Sequence, residues 1–299
     1  MAKDEPGAVF LVGDVMKDII VLPKGEMRRG SDQAAKIRTR SGGAAANQAV
    51  WLAAFGVSAR LAARVGAAEQ SQLSAGFKAR GVTAYLAADK ELETGMLISL
   101  VAPDGERSFF TDRGANEALC QNDIVQEALE NIELVLLSGY SFFSASPRRV
   151  VRDLMGWAKE KNIPVAIDPA SSGFLSDVGV KNFIEWTSGA AMLFPNEDEA
   201  KLLSGEKEIN EQLRVLGRSF DLVIIKRGAL GASAINHKGE IVCVSAPKVD
   251  VVDTTGAGDA FAAGFLCAYM AKKDIRAALL SGVGAGSKAV GHVGAQPAN

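Results

Sequence analysis

The sequence predicts an α/β protein with a mostly parallel sheet, on three observations. Short apolar runs alternate with stretches of helical pattern, as βαβ crossovers require. Two polar, turn-rich stretches break that rhythm and read as short β pieces outside the main sheet. No internal repeat, low-complexity segment or long linker divides the 299 residues, so one domain spanning 1–299 is expected.

The elements follow in order. Ala8–Val12 is an unbroken apolar run ending at Gly13 and reads as a buried strand. Lys17 to Arg40 is polar, with Pro23, Gly25 and Gly30, and forms the first excursion. Residues 44–55 read as a helix and 60–65 as a strand. Thr94–Val101 and 106–112 flank Pro103-Asp104-Gly105, a hairpin signal. Strands are then expected at 134–137, 164–167, 191–194 and 222–225, with helices at 147–160, 196–203 and 209–218. Two long helices close the chain at 257–272 and 275–290.

Composition narrows the function classes. Apolar residues make up 48% and charged residues 23%, enough apolar content for a core without covalent staples. A net charge of −2 gives no electrostatic reason for a nucleic-acid or anionic-membrane partner. Cys120, Cys243 and Cys267 show no CxxC spacing, and His237 and His292 are the only histidines, so a zinc site or disulfide framework is not expected. The start, Met1-Ala2-Lys3-Asp4-Glu5-Pro6, does not read as a signal peptide, and no apolar run reaches the ~20 residues of a membrane span. A cytoplasmic setting is expected.

The sharpest motif is at 249–265. A β-type run, Val249-Asp250-Val251-Val252, leads to Asp253-Thr254-Thr255, then Gly256-Ala257-Gly258-Asp259, then an apolar helix. A helix start offers unpaired N–H groups and the positive end of a dipole, and glycines let an anion approach the backbone. Such a turn suits the charge on a transferring phosphoryl group. Asp259 is placed to take a proton from an attacking hydroxyl. A glycine turn with a dipole-capping carboxylate fits the four residues equally well. Two other glycine-rich strings do not compete: 282–288 lacks the GxxxxGK[ST] spacing and a preceding strand, and no GxGxxG follows the first strand.

The full seven-residue string 253–259 resembles the signature of the PfkB/ribokinase family of carbohydrate kinases. The resemblance extends through Gly13-Asp14-Val15-Met16-Lys17-Asp18, Gly42-Gly43-Ala44-Ala45-Ala46-Asn47, Asp104-Gly105-Glu106-Arg107 and Gly114-Ala115-Asn116. It continues through Pro195-Asn196-Glu197-Asp198-Glu199, Lys226-Arg227-Gly228 and Gly294-Ala295-Gln296-Pro297. It implies a three-layer α/β/α ribokinase-like fold with a small β-sheet lid from about 15–40 and 92–112. It implies ATP as phosphoryl donor, Mg²⁺ and K⁺. Asp259 would be the base, and the backbone of Gly256, Ala257 and Gly258 the anion hole. Asp14, Asp18, Gly42, Gly43, Asn47, Arg107 and Tyr140 would face the acceptor. Asn196, Lys226, Gly228 and Gly231 would lie at the nucleotide, and Glu199, Asp253 and Thr255 at the metals. Asn196 with Glu199 is also an ordinary capping box.

The acceptor stays open at this point. Ribokinases carry a sugar-binding glutamate where this chain has Ser138-Gly139-Tyr140, and a Ser-Gly pair there is more like 2-keto-3-deoxygluconate kinases. Arg107 or Arg113 suits an acid sugar's carboxylate. Phe109, Phe110, Phe142 and Phe143 suit either a stacked nucleoside base or a core. A sugar or sugar acid is expected, with a nucleoside kinase or a non-catalytic sugar- or nucleotide-binding regulator as alternatives. Exposed lid edges suggest a homodimer.

Overall fold

The computed structural model describes residues 7–25, 30–101 and 107–298. The predicted turn Pro103-Asp104-Gly105, the N-terminal six residues and the Arg107 side chain lie outside the described residues.

The chain begins with β1 (Ala8–Val12), then β2 (Met16–Pro23), β3 (Ala35–Gly42), α1 (Ala44–Ala54), β4 (Ala59–Gly66), α2 (Gln70–Ala79) and β5 (Val82–Asp89). β6 (Thr94–Val101) and β7 (Arg107–Gly114) lead through short 3₁₀ turns to β8 (Ile132–Ser138), α3 (Ala145–Glu160) and β9 (Val165–Asp168). Then come α4 (Ser172–Val178), α5 (Val180–Trp186), β10 (Met192–Leu193), α6 (Glu197–Ser204), α7 (Ile209–Leu216) and β11 (Leu222–Lys226). β12 (Ala232–Asn236), β13 (Ile241–Val244), α8 (Ala257–Lys272) and α9 (Ile275–Ala289) complete the order.

Nine strands form the main sheet in the order β13-β12-β11-β10-β9-β8-β1-β4-β5. β5 to β11 pair in parallel, and β12 and β13 add antiparallel strands at one edge. Alternation along each strand feeds two cores. Val9 and Leu11 join one cluster with Trp51, Phe261 and Phe265, on the side of α1, α8 and α9. Phe10 and Val12 join the other with Phe142, Leu154 and Phe183, on the side of α3 to α7. Helices on both faces explain why the strands read as unbroken apolar runs. α8 and α9 pack closely because their contact is small: a Cβ on Gly264 would come within 2.6 Å of the Ala285 methyl. That contact absorbs much of the glycine-rich string 282–288.

The two excursions form a separate four-stranded sheet, β3-β2-β6-β7. β2 and β3 are an antiparallel pair with Asp18 opposite Arg40, and β6 and β7 are the predicted hairpin strands. This lid is tied to the body by an ion pair between Lys17 and Glu69 and by the Thr94 hydroxyl, which accepts the Gly66 N–H at 3.0 Å.

One strand expectation is corrected. Val249–Val252 is not a strand; the segment is irregular, and Val249, Val251 and Val252 are exposed at 44%, 62% and 55%. Among the described residues it pairs with no strand. The Val252 and Asp253 N–H groups donate to the Val290 carbonyl instead. The sequence pattern also names no element for α2, β5, α4, α5 or the β12–β13 hairpin.

Candidate active site

A cavity of about 910 Å³ opens where the parallel strands end, between the main sheet and the lid. Open α/β sheets place ligands at this position. The elements deliver their residues to it from strand ends and helix starts.

The turn into α8 is the centre. Gly256 adopts φ 75°, and a Cβ there would meet the Ala295 backbone at 2.5 Å, so only glycine fits. First-turn N–H groups of a helix have no intrahelical acceptor. The Ala257 N–H bends back to the Thr254 carbonyl at 3.3 Å, which leaves the amides that follow it as the better anion donors. Asp259 accepts a hydrogen bond from the Asn47 amide at 2.9 Å, and Gln296 donates to the Asn47 oxygen at 3.1 Å. Burial and the nearby Asp168 carboxylate push the Asp259 pKa well above its ordinary value, against the Asn47 hydrogen bond and Lys226.

Asp168 is a residue that sequence reasoning missed. It ends β9 and accepts from Lys226 Nζ at 2.8 Å and from Gln48 Nε2 at 3.2 Å. Lys226 ends β11 beside Gly258, where a Cβ would stand 3.4 Å from the Lys226 ammonium. Burial works against the Lys226 charge, but Asp168 and Glu199 outweigh it and its pKa rises. Lys226 therefore stands beside the turn into α8 as a cation held by Asp168. The available signal for Asp168 was its place at the carboxyl end of a parallel strand.

Asn196 and Glu199 form the capping box in full. Glu199 N–H donates to Asn196 Oδ1 at 2.9 Å, and the Glu199 carboxylate accepts from Asn196 N and Nδ2, both at 2.8 Å. Burial, with help from Asp168, raises Glu199 to about 7 despite Lys226. Gly228 and Gly231 line the same cavity with Val249, Val251, Val283 and Ser287. Gly231 also lets β12 start, since a Cβ there would strike the Val244 carbonyl.

At the other end of the cavity, Asp14 is buried and each of its oxygens accepts one hydrogen bond. Its Oδ1 accepts from the Ser138 hydroxyl at 2.8 Å and its Oδ2 from Ala44 N–H at 2.9 Å. Asp18 lies over Gly42, where a Cβ would collide with its carboxylate. Asp18 Oδ1 is buried without a hydrogen-bond partner. Burial and then Asp14 raise the Asp18 pKa to about 6. Gly43, at φ 98°, starts α1. Tyr140 and Arg113 line the same end, with the Arg113 guanidinium 4.6 Å above the Tyr140 ring. Asn116 holds this corner by accepting Val15 N–H and donating to the Val15 and Arg113 carbonyls. Phe142 is wholly in the core, whereas Phe109 and Phe110 are exposed on the lid.

Asp253 stands behind the turn. Its Oδ1 accepts from Thr255 N and Oγ1 at 3.0 and 2.7 Å, and its Oδ2 accepts from Gly294 N at 3.0 Å. The two carboxylates of the motif are thus separated in role: Asp259 faces the cavity, and Asp253 joins the 253–255 and 293–295 loops.

A lidded cleft with an amide-rich helix start, a fixed cation and a desolvated carboxylate has the form of a phosphotransferase site. Residues 8–299 match the pfkB family of carbohydrate kinases, and the chain belongs to that family. It is 30% identical over 279 residues to an ATP-dependent ribose-1-phosphate kinase of Halopiger xanaduensis, covering 90% of this chain and 87% of the relative. It is 29% identical to the ribokinase of Bacillus subtilis, covering 96% and 94%. The solved adenosine kinase of Sinorhizobium meliloti shares the fold with a TM-score of 0.88 at 23% identity, covering 98% and 96%. The protein is a carbohydrate kinase that uses ATP, with a ribokinase-like fold.

Proposed function

We propose that the acceptor is a primary hydroxyl of a sugar or sugar derivative, with Asp259 as general base. The observation that carries this reading is the Asp259 carboxylate itself, held by Asn47 between the acceptor end of the cavity and the start of α8. Its raised pKa makes it a better base than an ordinary aspartate. In the proposed step the acceptor O–H proton passes to Asp259. The oxygen forms its bond to the γ-phosphorus, the bond to the β-phosphate oxygen breaks, and ADP leaves. The α8 amides and Lys226 offset the charge on the phosphoryl oxygens. Asp14, Asp18, Asn47 and the Gly42–Gly43 backbone orient the acceptor, and Gly228 and Gly231 border the nucleotide.

Mg²⁺ would be held through water by Asn196 and Glu199 and would neutralise phosphate charge when bound. The donor set fits that mode and not a protein cage, because both Glu199 oxygens already accept hydrogen bonds and the described residues contain no cluster of three metal-ligating side chains. K⁺ would lie beside Asp253 and the Thr255 carbonyl, where Asp253 already draws two loops together. Lid closure would exclude water from the transfer. Residues 1–299 would act as one kinase domain, and the lid edges with exposed Ile37 and Phe110 would pair two copies.

The Arg113 guanidinium covers one face of Tyr140 and Phe142 is in the core, so neither of these surfaces is open to a stacked base, which favours a sugar over a nucleoside. The test is ADP release, with Mg²⁺ and K⁺, across pentoses, hexoses, sugar acids, sugar phosphates and nucleosides. Acceptor-dependent ADP with a sugar or its derivative is expected. Release with nucleosides alone would replace this acceptor by a nucleoside, and no acceptor-dependent release would favour a binding regulator.

A further inference from the structure

A chain of side-chain hydrogen bonds leads from Asp259 out of the site. Asn47 Nδ2 donates to Asp259 Oδ2 at 2.9 Å. Gln296 Nε2 donates to Asn47 Oδ1 at 3.1 Å, and Arg80 Nη1 donates to Gln296 Oε1 at 2.8 Å. The four groups come from α8, α1, the C-terminal tail and the residue that ends α2. Asn47 and Asp259 border the large cavity, whereas Gln296 and Arg80 do not. The tail is held where Gln296 spans the gap. Trp51 Nε1, one turn after Asn47 on α1, donates to the Ala295 carbonyl at 2.9 Å. His292 Nε2 meets the Gln296 carbonyl, also at 2.9 Å.

The direction of this chain follows from its outer end. The oxygen and nitrogen ends of a side-chain amide have nearly the same shape, so Asn47 and Gln296 taken alone can face either way. A guanidinium has donors only and keeps its charge. Arg80 therefore requires the oxygen of Gln296, which turns the Gln296 nitrogen toward Asn47. Asn47 must then offer its oxygen to Gln296 and its nitrogen to Asp259. A reversed Asn47 would present its oxygen to Asp259, and only a protonated carboxyl can donate to it. Such a carboxyl cannot take the acceptor's proton.

The surroundings of Asp259 make that direction matter. Burial, then Asp168 at the end of β9, and Asp14 after β1 all favour its neutral form. Asn47 from α1 and Lys226 at the end of β11 work the other way. Tyr140 nearby is a neutral phenol, pushed up by burial. Lys226 is already engaged by Asp168 at 2.8 Å, so the Asn47 N–H is the donor given to Asp259 itself.

We infer that Arg80 and Gln296 are positioning residues for the reaction: Arg80 sets the direction of the amide chain, and through Gln296 it makes Asn47 present its nitrogen to the Asp259 carboxylate. The inference rests on the reading of Asp259 as general base. A mere tie between the end of α2 and the tail would use the same Arg80–Gln296 bond but would be indifferent to the direction of Asn47. One substitution separates the two. Gln296→Glu keeps the length and shape of the side chain and gives Arg80 an ion pair. Its carboxylate has no donor for Asn47 Oδ1, so it draws the Asn47 nitrogen to itself and turns the oxygen toward Asp259. The tie is strengthened while the direction is reversed.

Infrared titration of the Asp259 carboxyl, assigned by its loss in Asp259→Asn, reads the direction with neither nucleotide nor acceptor bound. Gln296→Glu should raise the proton affinity of Asp259 by about tenfold or more. Gln296→Met changes no charge and frees Asn47 to turn, so it should raise that affinity by a smaller factor. Arg80→Met should behave like Gln296→Met, and Arg80→Lys, which keeps a donor, should restore most of the wild-type titration. With the acceptor that releases ADP in the panel above, Gln296→Glu should lower kcat by about a hundredfold. The acid limb of its pH–rate profile should move to higher pH, with the KM for ATP near wild type and Tm not reduced. An unchanged carboxyl titration in either Gln296 variant, whatever the Tm, would overturn the inference. Failure of the base reading would show separately, as the expected titrations together with near-normal kcat in Asp259→Asn.

Discussion

The turn at 253–259 and the lid differ in how they are built. The turn is locked from all sides: Gly256 touches the Ala295 backbone, Asp253 binds Thr255 and Gly294, and Asp259 binds Asn47. The lid is a thin sheet with exposed residues on both faces and few ties to the body. Groups that stabilise a transition state must be fixed before it forms, whereas groups that admit and select an acceptor must move. On the proposed function, the chemistry would reside in the body, and the lid would add Asp18 and the Gly42 backbone to the acceptor contacts that Asp14 and Asn47 make from the body.

The body should fail through turnover. Asp259→Asn is expected to lower kcat by about 10³-fold or more, with nucleotide affinity little changed by calorimetry. Lys226→Met should lower kcat by about a hundredfold, and Lys226→Arg should restore part of it; a change confined to protein stability would show Lys226 to be structural. Asp168→Asn should move the acid limb of the pH–rate profile to lower pH. It removes a negative neighbour that raises Asp259 and releases Lys226, and both changes favour the ionised base.

The lid should fail through the acceptor. Gly42→Ala drives a methyl into the Asp18 carboxylate, so acceptor KM should rise about tenfold while the KM for ATP stays close to wild type. The smallest effect concerns stability. Asp18 is raised from 3.8 to about 6, so the folded protein holds a proton that the unfolded chain has released between those values. Its favourable contribution is complete below about pH 3.8 and is lost as pH rises through about 6. Asp18→Asn should therefore raise stability at neutral pH by about 1 kcal/mol after solvent screening, seen as an increase of about 2 °C in Tm with a flatter pH dependence.

Legibility followed the same division. The turn could be read because its parts are contiguous, and so could the alternating strands, because parallel strands covered on both faces are continuous apolar runs. Asn196 and Glu199 were legible as a capping box for the same reason of short range. Asp168 was not, because its partner Lys226 is 58 positions away and only the sheet order β9-β10-β11 brings the two strand ends together. The contact of Asn47 with Asp259 spans 212 positions. Val249–Val252 misled because β-type composition measures fit to a sheet, and among the described residues this segment pairs with no strand. The polar excursion 17–40 was legible as β structure, but the placing of Asp18 opposite Arg40 required the pairing register.

The division between body and lid is tested most directly by measuring kcat and acceptor KM side by side for Lys226→Met and Gly42→Ala on one acceptor. A large loss of kcat with a near-normal acceptor KM is expected for the first, and a raised acceptor KM with a near-normal kcat for the second. Loss of kcat in Gly42→Ala with unchanged acceptor KM, or a raised acceptor KM alone in Lys226→Met, would contradict it.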